Sequence, residues 1–478
     1  MMNRRVLSET IWYGAGKYGM VIVNLLISAV LARLLSPAEF GVVTIVTVFT
    51  AFFAVLADLG LGAAVIQHKQ LSEEEISDIF SISVFFSVIL AVFFALFGFP
   101  IAAFYGNQEY RKICLILSLS VLFNAMNIIP NAMLMKNKRF KLVGMRMICV
   151  TVIVGALTVA MAYFGMSYYA IVMQSVLQSC LILLWNIWST KPRFHLRIHL
   201  DSIRTIRNYS VFQFLYSLVN YCARNLDNLL IGKLMGNESL AYYDKGYRLM
   251  MYPMQNLTYV LNPLLHPILS DYQDDRRKIY DSYMRVAQVL SVIGVYVSLV
   301  CFWNSRELIL LIFGGQWERS VPLFRLLSLS VWPQMIVTSA GSVYQSTGNT
   351  RLMFISGMVH FSITIICIIV GILIGKLETV AALVALSLYL RFLIDYFCLI
   401  RLNFGYSWLA FLSAFAKDGL VMAAGVLLSR FIPEQFAGFG LVANLCFKAG
   451  VISAAFLGLL LVSGQGRMLL GLLKRAKR

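Results

Sequence analysis

The residues of this sequence that could do chemistry are charged side chains inside otherwise apolar stretches. Lys17 lies in the first such stretch, and Arg224 and Asp227 lie three residues apart in a later one, on one face of a helix. A charge at the centre of a bilayer costs about 2.5–3.5 kcal/mol on insertion scales, so it normally faces a partner or a polar cavity. We predict that Lys17 lines a polar cavity, whereas Arg224 and Asp227 form either a structural ion pair or part of a site.

Five further charges in apolar stretches have a simpler interpretation. Arg391 and Asp395 are four residues apart, so they can neutralise each other as a structural ion pair. Arg325, Lys448 and Asp418 lie near the ends of apolar stretches. From there a long side chain can reach the membrane interface, and we expect these three to do so.

Composition places these stretches in a membrane. Hydrophobic residues make up 60% of the 478 positions, charged residues only 13%, and the mean hydropathy is +0.78. A soluble chain is nearer half apolar and a quarter charged. There is no P-loop motif and no HExxH motif, His195 and His199 fall in a basic loop, and the eight cysteines show no C-x-x-C spacing. Neither an ATP-driven pump nor a metal site is indicated.

Apolar runs of about 20 residues define the elements that position the charges. We predict about fourteen spanning helices, at 11–31, 40–60, 79–101, 113–134, 144–164, 168–188, 209–231, 249–269, 286–303, 321–344, 353–374, 379–400, 413–431 and 442–463. Most lysines and arginines, Arg146 among them, then fall in segments that the positive-inside rule assigns to the cytoplasm. The rule also accounts for the net charge of +18 without nucleic acid, and it places both termini in the cytoplasm.

An internal repeat divides the chain. LARLLSPAEFGVV at 31–43 aligns without gaps on IGKLMGNESLAYY at 231–243, and LSLSV at 117–121 recurs at 327–331. The repeating unit covers about six spans, an even number that preserves orientation. We predict an all-α polytopic membrane protein with two pseudo-symmetric six-helix lobes and two additional helices. The predicted segments are 1–205, 206–405, and 406–478 with its basic cytoplasmic tail.

Several motifs resemble one known family. They are W-Y-G-A-G-K at Trp12–Lys17, L-A-R-L-L-S-P-A-E-F-G at 31–41, D-L-G-L-G-A-A-V-I-Q-H-K-Q-L-S-E-E-E at Asp58–Glu75, R-N-L-D-N-L-L-I-G-K-L from Arg224, and P-L-L-H-P-I-L-S-D at Pro263–Asp271. Together they are similar to bacterial polysaccharide repeat-unit flippases, the Wzx-like branch of the multidrug, oligosaccharidyl-lipid and polysaccharide (MOP) exporter superfamily. The resemblance covers roughly residues 5–405.

The resemblance implies a MATE-like fold and a flippase in the bacterial inner membrane. Such a protein moves undecaprenyl-pyrophosphate-linked oligosaccharide repeat units, of the exopolysaccharide or O-antigen type, to the outer leaflet by alternating access around a central cavity. Lys17 matches a position where the family often has a basic residue, and Asp227 matches its acidic position. The chain departs from the family at 236–241, where G-N-E-S-L-A replaces S-P-x-E-L-G.

A lipid-linked sugar suggests roles for the polar residues near these charges. Lys17 and Arg224 can hold the pyrophosphate, and Asp227 can orient Arg224. Asp58 and Asp227 are candidates for coupling to H⁺ or Na⁺, and no other cofactor is expected. Further side chains could bind sugar hydroxyls or serve only helix packing: Tyr18, Asn24, Tyr221, Asn225 and Asn228.

Two other functions stay open. A MATE-type drug or cation antiporter would favour acidic residues in the cavity, and a membrane-embedded polysaccharide polymerase or ligase would favour a long outside loop with acids or histidines. Expected partners are the lipid-linked oligosaccharide, membrane lipids, and the polysaccharide polymerase and chain-length machinery.

Overall fold

Helices account for all the regular structure in the described residues of the computed structural model. The described residues are 4–59, 61–67, 71–194, 218, 221, 225–270, 275–347, 349–431, 433, 436 and 440–462. The chain forms two compact units, Met1–Ala241 and Tyr242–Arg478. The boundary between the units falls in the first turns of a long helix, and the division into 1–205, 206–405 and 406–478 stays a prediction.

The first unit contains nine helices in its described part and the start of a tenth. They are α1 (Arg4–Leu34), α2 (Pro37–Asp58), α3 (Leu61–Gln67), α4 (Glu73–Tyr105), α5 (Glu109–Met126), α6 (Ile128–Lys136), α7 (Phe140–Tyr163), α8 (Tyr169–Thr190), α9 (225–234) and α10 (Asn237–Ser270).

The second unit continues α10 and adds ten more helices in its described part. They are α11 (Arg276–Trp303), α12 (Ser305–Phe313), α13 (Ser320–Ser328), α14 (Val331–Val337), α15 (Ala340–Ser346), α16 (Thr350–Ile374), α17 (Leu377–Tyr396), α18 (Trp408–Ser413), α19 (Ala416–Leu428) and α20 (Leu441–Val462). A π-helical segment, Phe397–Asn403, extends α17, and short 3₁₀ turns follow α12 and α19.

Ten helices of the described chain are long and apolar enough to cross a membrane, and a pair bent by 48°, Ser320–Ser328 with Val331–Tyr344, would make eleven. The protein is therefore a multi-pass membrane protein. Of the remaining predicted spans, 209–231 lies mostly outside the described residues. The predicted span 249–269 lies in α10, which is amphipathic rather than uniformly apolar. The span predicted at 413–431 is divided between the short helix α19 and the turn Ser429–Phe431.

The start of α2 shows how sequence fixes these helices. The Ser36 hydroxyl accepts from the Glu39 backbone N–H at 3.4 Å, and the Glu39 carboxylate accepts from the Ser36 N–H at 2.7 Å. This capping box satisfies two amides that the first turn leaves unpaired. Pro37 stands where its missing N–H costs nothing. The motif S-P-A-E therefore encodes a helix start, and Ser72 and Glu75 begin α4 in the same way.

Glycines let α1 and α7 approach closely. A Cβ atom at Gly16 would lie 2.4 Å from the Cα of Gly144, and one at Gly144 would lie 2.4 Å from the Trp12 carbonyl oxygen. No side chain fits at such distances. Because lipid gives helices little hydrophobic reason to associate, close backbone packing of this kind is a main source of their attraction. The contact fixes the part of α1 that carries Lys17.

Candidate functional site

The predicted residues of α1 lie beside this glycine contact. Lys17 and Asn24 are half-buried, and Tyr18 is 41% exposed. Lys17 and Tyr18 directly follow Gly16, so the crossing with α7 determines where their backbone lies. Substrate binding by these three residues stays a prediction.

The second predicted group surrounds the start of α9. Arg224 lies outside the described residues. Asp227 is buried at 8% exposure, and one carboxylate oxygen accepts from the backbone N–H of Asn228 at 2.8 Å. The Tyr221 hydroxyl donates to the Val48 carbonyl in α2, and the Asn225 amide donates to the Tyr221 carbonyl at 2.9 Å. These two contacts serve packing, and a sugar-binding role for Tyr221, Asn225 or Asn228 stays a prediction.

Asp58 lines a cavity in the first unit. One Asp58 oxygen accepts from the Gly62 backbone N–H at 3.2 Å, which holds the carboxylate at the end of α2. The cavity measures about 260 Å³. Four of its lining residues carry polar side chains, and the lining as a whole consists of Asp58, Gly62, Ile66, Asn124, Asn127, Ile128, Asn131 and Ala132.

A buried arginine stands behind this cavity. Arg146, which the positive-inside pattern assigns to a cytoplasmic segment, is only 5% exposed inside the first unit. Its guanidinium donates to the Asn131 side-chain oxygen at 3.2 and 3.3 Å and also to the side-chain oxygen of Asn186. Asn186, fully buried, donates in turn to the Asn127 side-chain oxygen at 2.6 Å. The two terminal nitrogens of the guanidinium are thus held by amide oxygens inside the first unit.

Asp58 is among the residues predicted from sequence, whereas the asparagines around it are not. Asn124, Asn127 and Asn131 recur at intervals of three and four residues, the spacing of one helical face. This regular polar stripe in an apolar stretch is the sequence signal from which the polar wall could have been predicted. Asn186 and Arg146 lie 40 residues apart in sequence, and no local pattern connects them.

The charges of the second unit are buried more deeply than the sequence predicts. Lys448 is 4% and Asp418 3% exposed, so neither side chain reaches the membrane interface as we expected. The Lys448 ammonium lies 2.7 Å from the Glu307 carboxylate, and Asp418 accepts a hydrogen bond from Ser291. Lys448 and Asp418 are therefore buried against specific partners, which α12 and α11 supply, rather than exposed at the interface.

Arg391 and Asp395 form the ion pair that their spacing predicts, with Nε 3.3 Å from Oδ2. The Arg391 side chain is 43% exposed and that of Asp395 only 10%. Arg325 is half-buried, and its Nε donates to the Ser305 hydroxyl at 2.9 Å. Within the described chain, no group of three or more His, Cys, Asp or Glu side chains could hold a metal ion.

Comparison with known proteins assigns the chain to a family. Residues 30–322, more than half of the chain, match the family described as "Polysaccharide biosynthesis protein". The chain is similar to the teichuronic acid biosynthesis protein TuaB of Bacillus subtilis, with 23% identity over 466 residues that cover 96% of each protein. It is also similar to the lipopolysaccharide biosynthesis protein WzxC of Escherichia coli, with 22% identity over 377 residues, 77% of this chain and 76% of WzxC.

Solved structures share the fold at lower sequence identity. The lipid II flippase MurJ in an inward closed conformation matches with a TM-score of 0.72 and 14% identity, covering 93% of this chain and 98% of MurJ. An inward-facing multidrug resistance MATE family transporter of the MOP superfamily matches with a TM-score of 0.59 and 14% identity, covering 85% and 96%. These proteins are named as a flippase and a transporter rather than as enzymes. The chain belongs to the polysaccharide biosynthesis protein family, and it shares its fold with MurJ and with a MATE transporter of the MOP superfamily.

Proposed function

We propose that this protein is a flippase for lipid-linked oligosaccharide repeat units. In this proposal the substrate is an oligosaccharide on undecaprenyl pyrophosphate, and it moves from the cytoplasmic to the outer leaflet of the inner membrane by alternating access. TuaB and WzxC are named for the biosynthesis of two different cell-surface polysaccharides, and MurJ is named for flipping a lipid-linked precursor. Lipid-linked sugar is the substrate class that fits all three names.

The observation that carries the proposal is a set of polar groups inside a bundle of spanning helices. Asp58 and three asparagines line a cavity of about 260 Å³ within the first unit, and the buried Arg146 contacts one of those asparagines from behind. A sugar head group is too polar for hydrocarbon, whereas its polyprenyl tail is at home there. The protein therefore needs to supply polar surroundings only for the head. Because polar groups inside a membrane are costly, such a set of them indicates a functional site.

The pyrophosphate is assigned to cationic side chains. Lys17 and Arg224 are the proposed ligands, and Asp227 is the proposed partner that orients Arg224. Outward movement is favourable, because an anion leaving a cell interior at −100 mV gains about 2.3 kcal/mol per charge. If a proton is exchanged as well, Asp58 and Asp227 are the candidates to carry it, and Asp227 is the candidate for a sodium ion.

Location and partners follow from the same proposal. Both termini lie in the cytoplasm, and the transported unit passes to a polymerase and its chain-length machinery on the outer side. A MATE-type drug antiporter is the rival function, since a multidrug transporter shares the fold.

Deletion of the gene followed by lipid analysis tests the proposal. We expect undecaprenyl-linked repeat units to accumulate on the cytoplasmic leaflet, where a glycosidase added to intact spheroplasts cannot reach them, and we expect polymer output to fall. Drug susceptibility of the deletion strain is the control for the rival. Lipid-linked units that reach the outer leaflet at the normal rate, together with increased drug sensitivity, would establish the antiporter instead.

A further inference from the structure

The buried Arg146 fixes which way two asparagine side chains face. A guanidinium has only donors, so any amide group that it contacts must present its oxygen. Arg146 contacts Asn131 and Asn186 through their side-chain oxygens. The NH₂ group of Asn131 therefore points away from Arg146.

The constraint passes on through Asn186. Its oxygen is held by Arg146, so its NH₂ group is the part that donates to the Asn127 oxygen at 2.6 Å. Asn127 is thereby oriented as well, with its own NH₂ group on the far side. Among the described residues, the NH₂ groups of Asn127 and Asn131 donate to no protein group, and both residues line the cavity.

Acceptors occupy the rest of the cavity wall. The NH₂ group of Asn124 donates to the Ser120 hydroxyl at 3.2 Å, which leaves the Asn124 oxygen available. Asp58 accepts one backbone bond at 3.2 Å through one oxygen, and its second oxygen is available. The cavity thus presents two oriented amide donors together with a carboxylate and an amide acceptor.

We propose that this cavity is a subsite for the hydroxyl groups of a sugar ring, with Asp58 and Asn124 as acceptors, Asn127 and Asn131 as donors, and Arg146 as the positioning residue behind them. A sugar hydroxyl both donates and accepts, so it pairs with such a mixed wall. The inference rests on the proposed function and deepens it by assigning a subsite for the sugar part of the substrate.

A cation fits these residues poorly. Hard cations such as sodium, magnesium and calcium need oxygen ligands, and the side-chain oxygens of Asn127 and Asn131 are turned toward Asn186 and Arg146. Their NH₂ groups, which carry partial positive charge, would face the ion and repel it. The size also points to a larger ligand, because the cavity of about 260 Å³ far exceeds the ~10–15 Å³ that one water needs.

The predicted orientation gives the subsite a place in the transport cycle. Asp58 and Asn131 lie toward the cytoplasmic ends of the second and fourth predicted spans, and Asn186 lies toward that end of the sixth. The subsite is thus on the side where the lipid-linked sugar is made, and it serves loading of the head group.

The test uses the purified full-length protein in detergent and single sugars as probes. Glucose, galactose, N-acetylglucosamine and glucuronic acid are examined by saturation-transfer NMR. We expect at least one to bind the wild-type protein and Asn131→Asp to raise its Kd at least about tenfold, because a cavity-facing donor becomes an acceptor. That substitution keeps the oxygen that Arg146 needs, so thermal stability should hold or rise. Asp58→Asn should raise the same Kd.

The matched control is Asn137→Ala, an exposed asparagine just after α6. It should bind sugar like the wild type. The subsite is wrong if no probe binds the wild-type protein, or if Asn131→Asp binds as well as the wild type. It is also wrong if sodium raises the melting temperature, Asp58→Asn abolishes that rise, and sugar binding is unaffected, since the cavity is then a cation site. None of these readouts requires transport, so a normal flipping rate in the deletion strain would overturn the flippase alone.

Discussion

The Lys448 ammonium and the Glu307 carboxylate lie 2.7 Å apart, and their side chains are only 5% and 0% exposed. The pair joins α20, the last described helix, to α12 within the second unit. Asn444, one turn before Lys448, donates to the same Glu307 oxygen. In water such a pair would contribute little, but here each charge depends on the other because no solvent is available to either.

Breaking that pair should be costly. Removing one partner of a buried pair leaves an uncompensated charge and typically costs about 3–5 kcal/mol. We expect Lys448→Met to lower the melting temperature of the purified protein and its yield in membranes. The double variant Glu307→Gln with Lys448→Met should recover much of the loss, since no charge is then left alone.

The control for this pair is Lys112→Ala. Lys112 lies 2.9 Å from Glu109, but those side chains are 68% and 38% exposed. We expect the melting temperature of the Lys112→Ala variant to change little. Equal losses from Lys448→Met and Lys112→Ala would show that burial does not strengthen the first pair.

Lys17 should be needed for transport but not for folding. If its ammonium holds a phosphate of the substrate, Lys17→Ala removes a charge-assisted hydrogen bond, which corresponds to about a tenfold loss in polymer output. Lys17→Arg should keep most of the output. The measurement is polymer produced by a complemented deletion strain, normalised to the amount of protein in the membrane.

Arg33→Ala serves as the control for Lys17, because Arg33 is an exposed basic residue in the last turn of the same helix. Its output should stay near the wild-type level. Full output from Lys17→Ala would remove Lys17 from the site.

The crossing of α1 and α7 should tolerate no side chain at Gly16. A Cβ there would lie 2.4 Å from the Gly144 Cα, so Gly16→Ala must push the helices apart, at a typical cost of about 1–3 kcal/mol for overpacking. A Cβ at Gly14, two residues earlier, would meet no atom within 4 Å. Gly14→Ala should therefore leave the melting temperature unchanged or raise it slightly. Similar effects from both substitutions would disprove the close crossing.

The start of α11 should weaken in acid. The Lys278 backbone N–H, at 3.1 Å, and then the Lys278 ammonium hold the pKa of the Asp275 carboxyl below its usual value. Since the folded pKa is lowered, this contribution is complete above about pH 4 and is lost as the pH falls through the folded pKa. Asp275→Asn keeps a capping oxygen without a titrating charge, so hydrogen exchange at the first turn of α11 should depend less on pH below about 4. An unchanged pH profile would mean that Asp275 does not cap this helix in solution.

Most spans could be predicted because crossing a membrane is a local property of about 20 residues. Ten helices and one bent pair fall on predicted spans for that reason. The exception of α10 is informative. Its 34 residues form one continuous helix that contains the predicted span 249–269, but they mix polar and apolar side chains, so hydropathy alone does not qualify this helix as a membrane span.

Partners distant in sequence could not be predicted. Lys448 and Glu307 are separated by 141 residues, so the position of Lys448 near a span end suggested the interface instead. The burial of Arg146 could not be predicted for a related reason. It lies close to the start of its helix, where a cytoplasmic arginine is usual, and only the packing of α6 and α8 around α7 encloses it.

The start of α2 also touches its own counterpart in the internal repeat. A Cβ at Gly41 would lie 1.9 Å from the Asn237 carbonyl oxygen, and Asn237 is the repeat equivalent of Pro37. The two segments that the predicted repeat aligns are thus in direct contact with each other. A chimera that joins the N-terminal part of one relative to the C-terminal part of another must keep compatible residues at this contact. An unsuitable residue in either segment would disturb the packing of both.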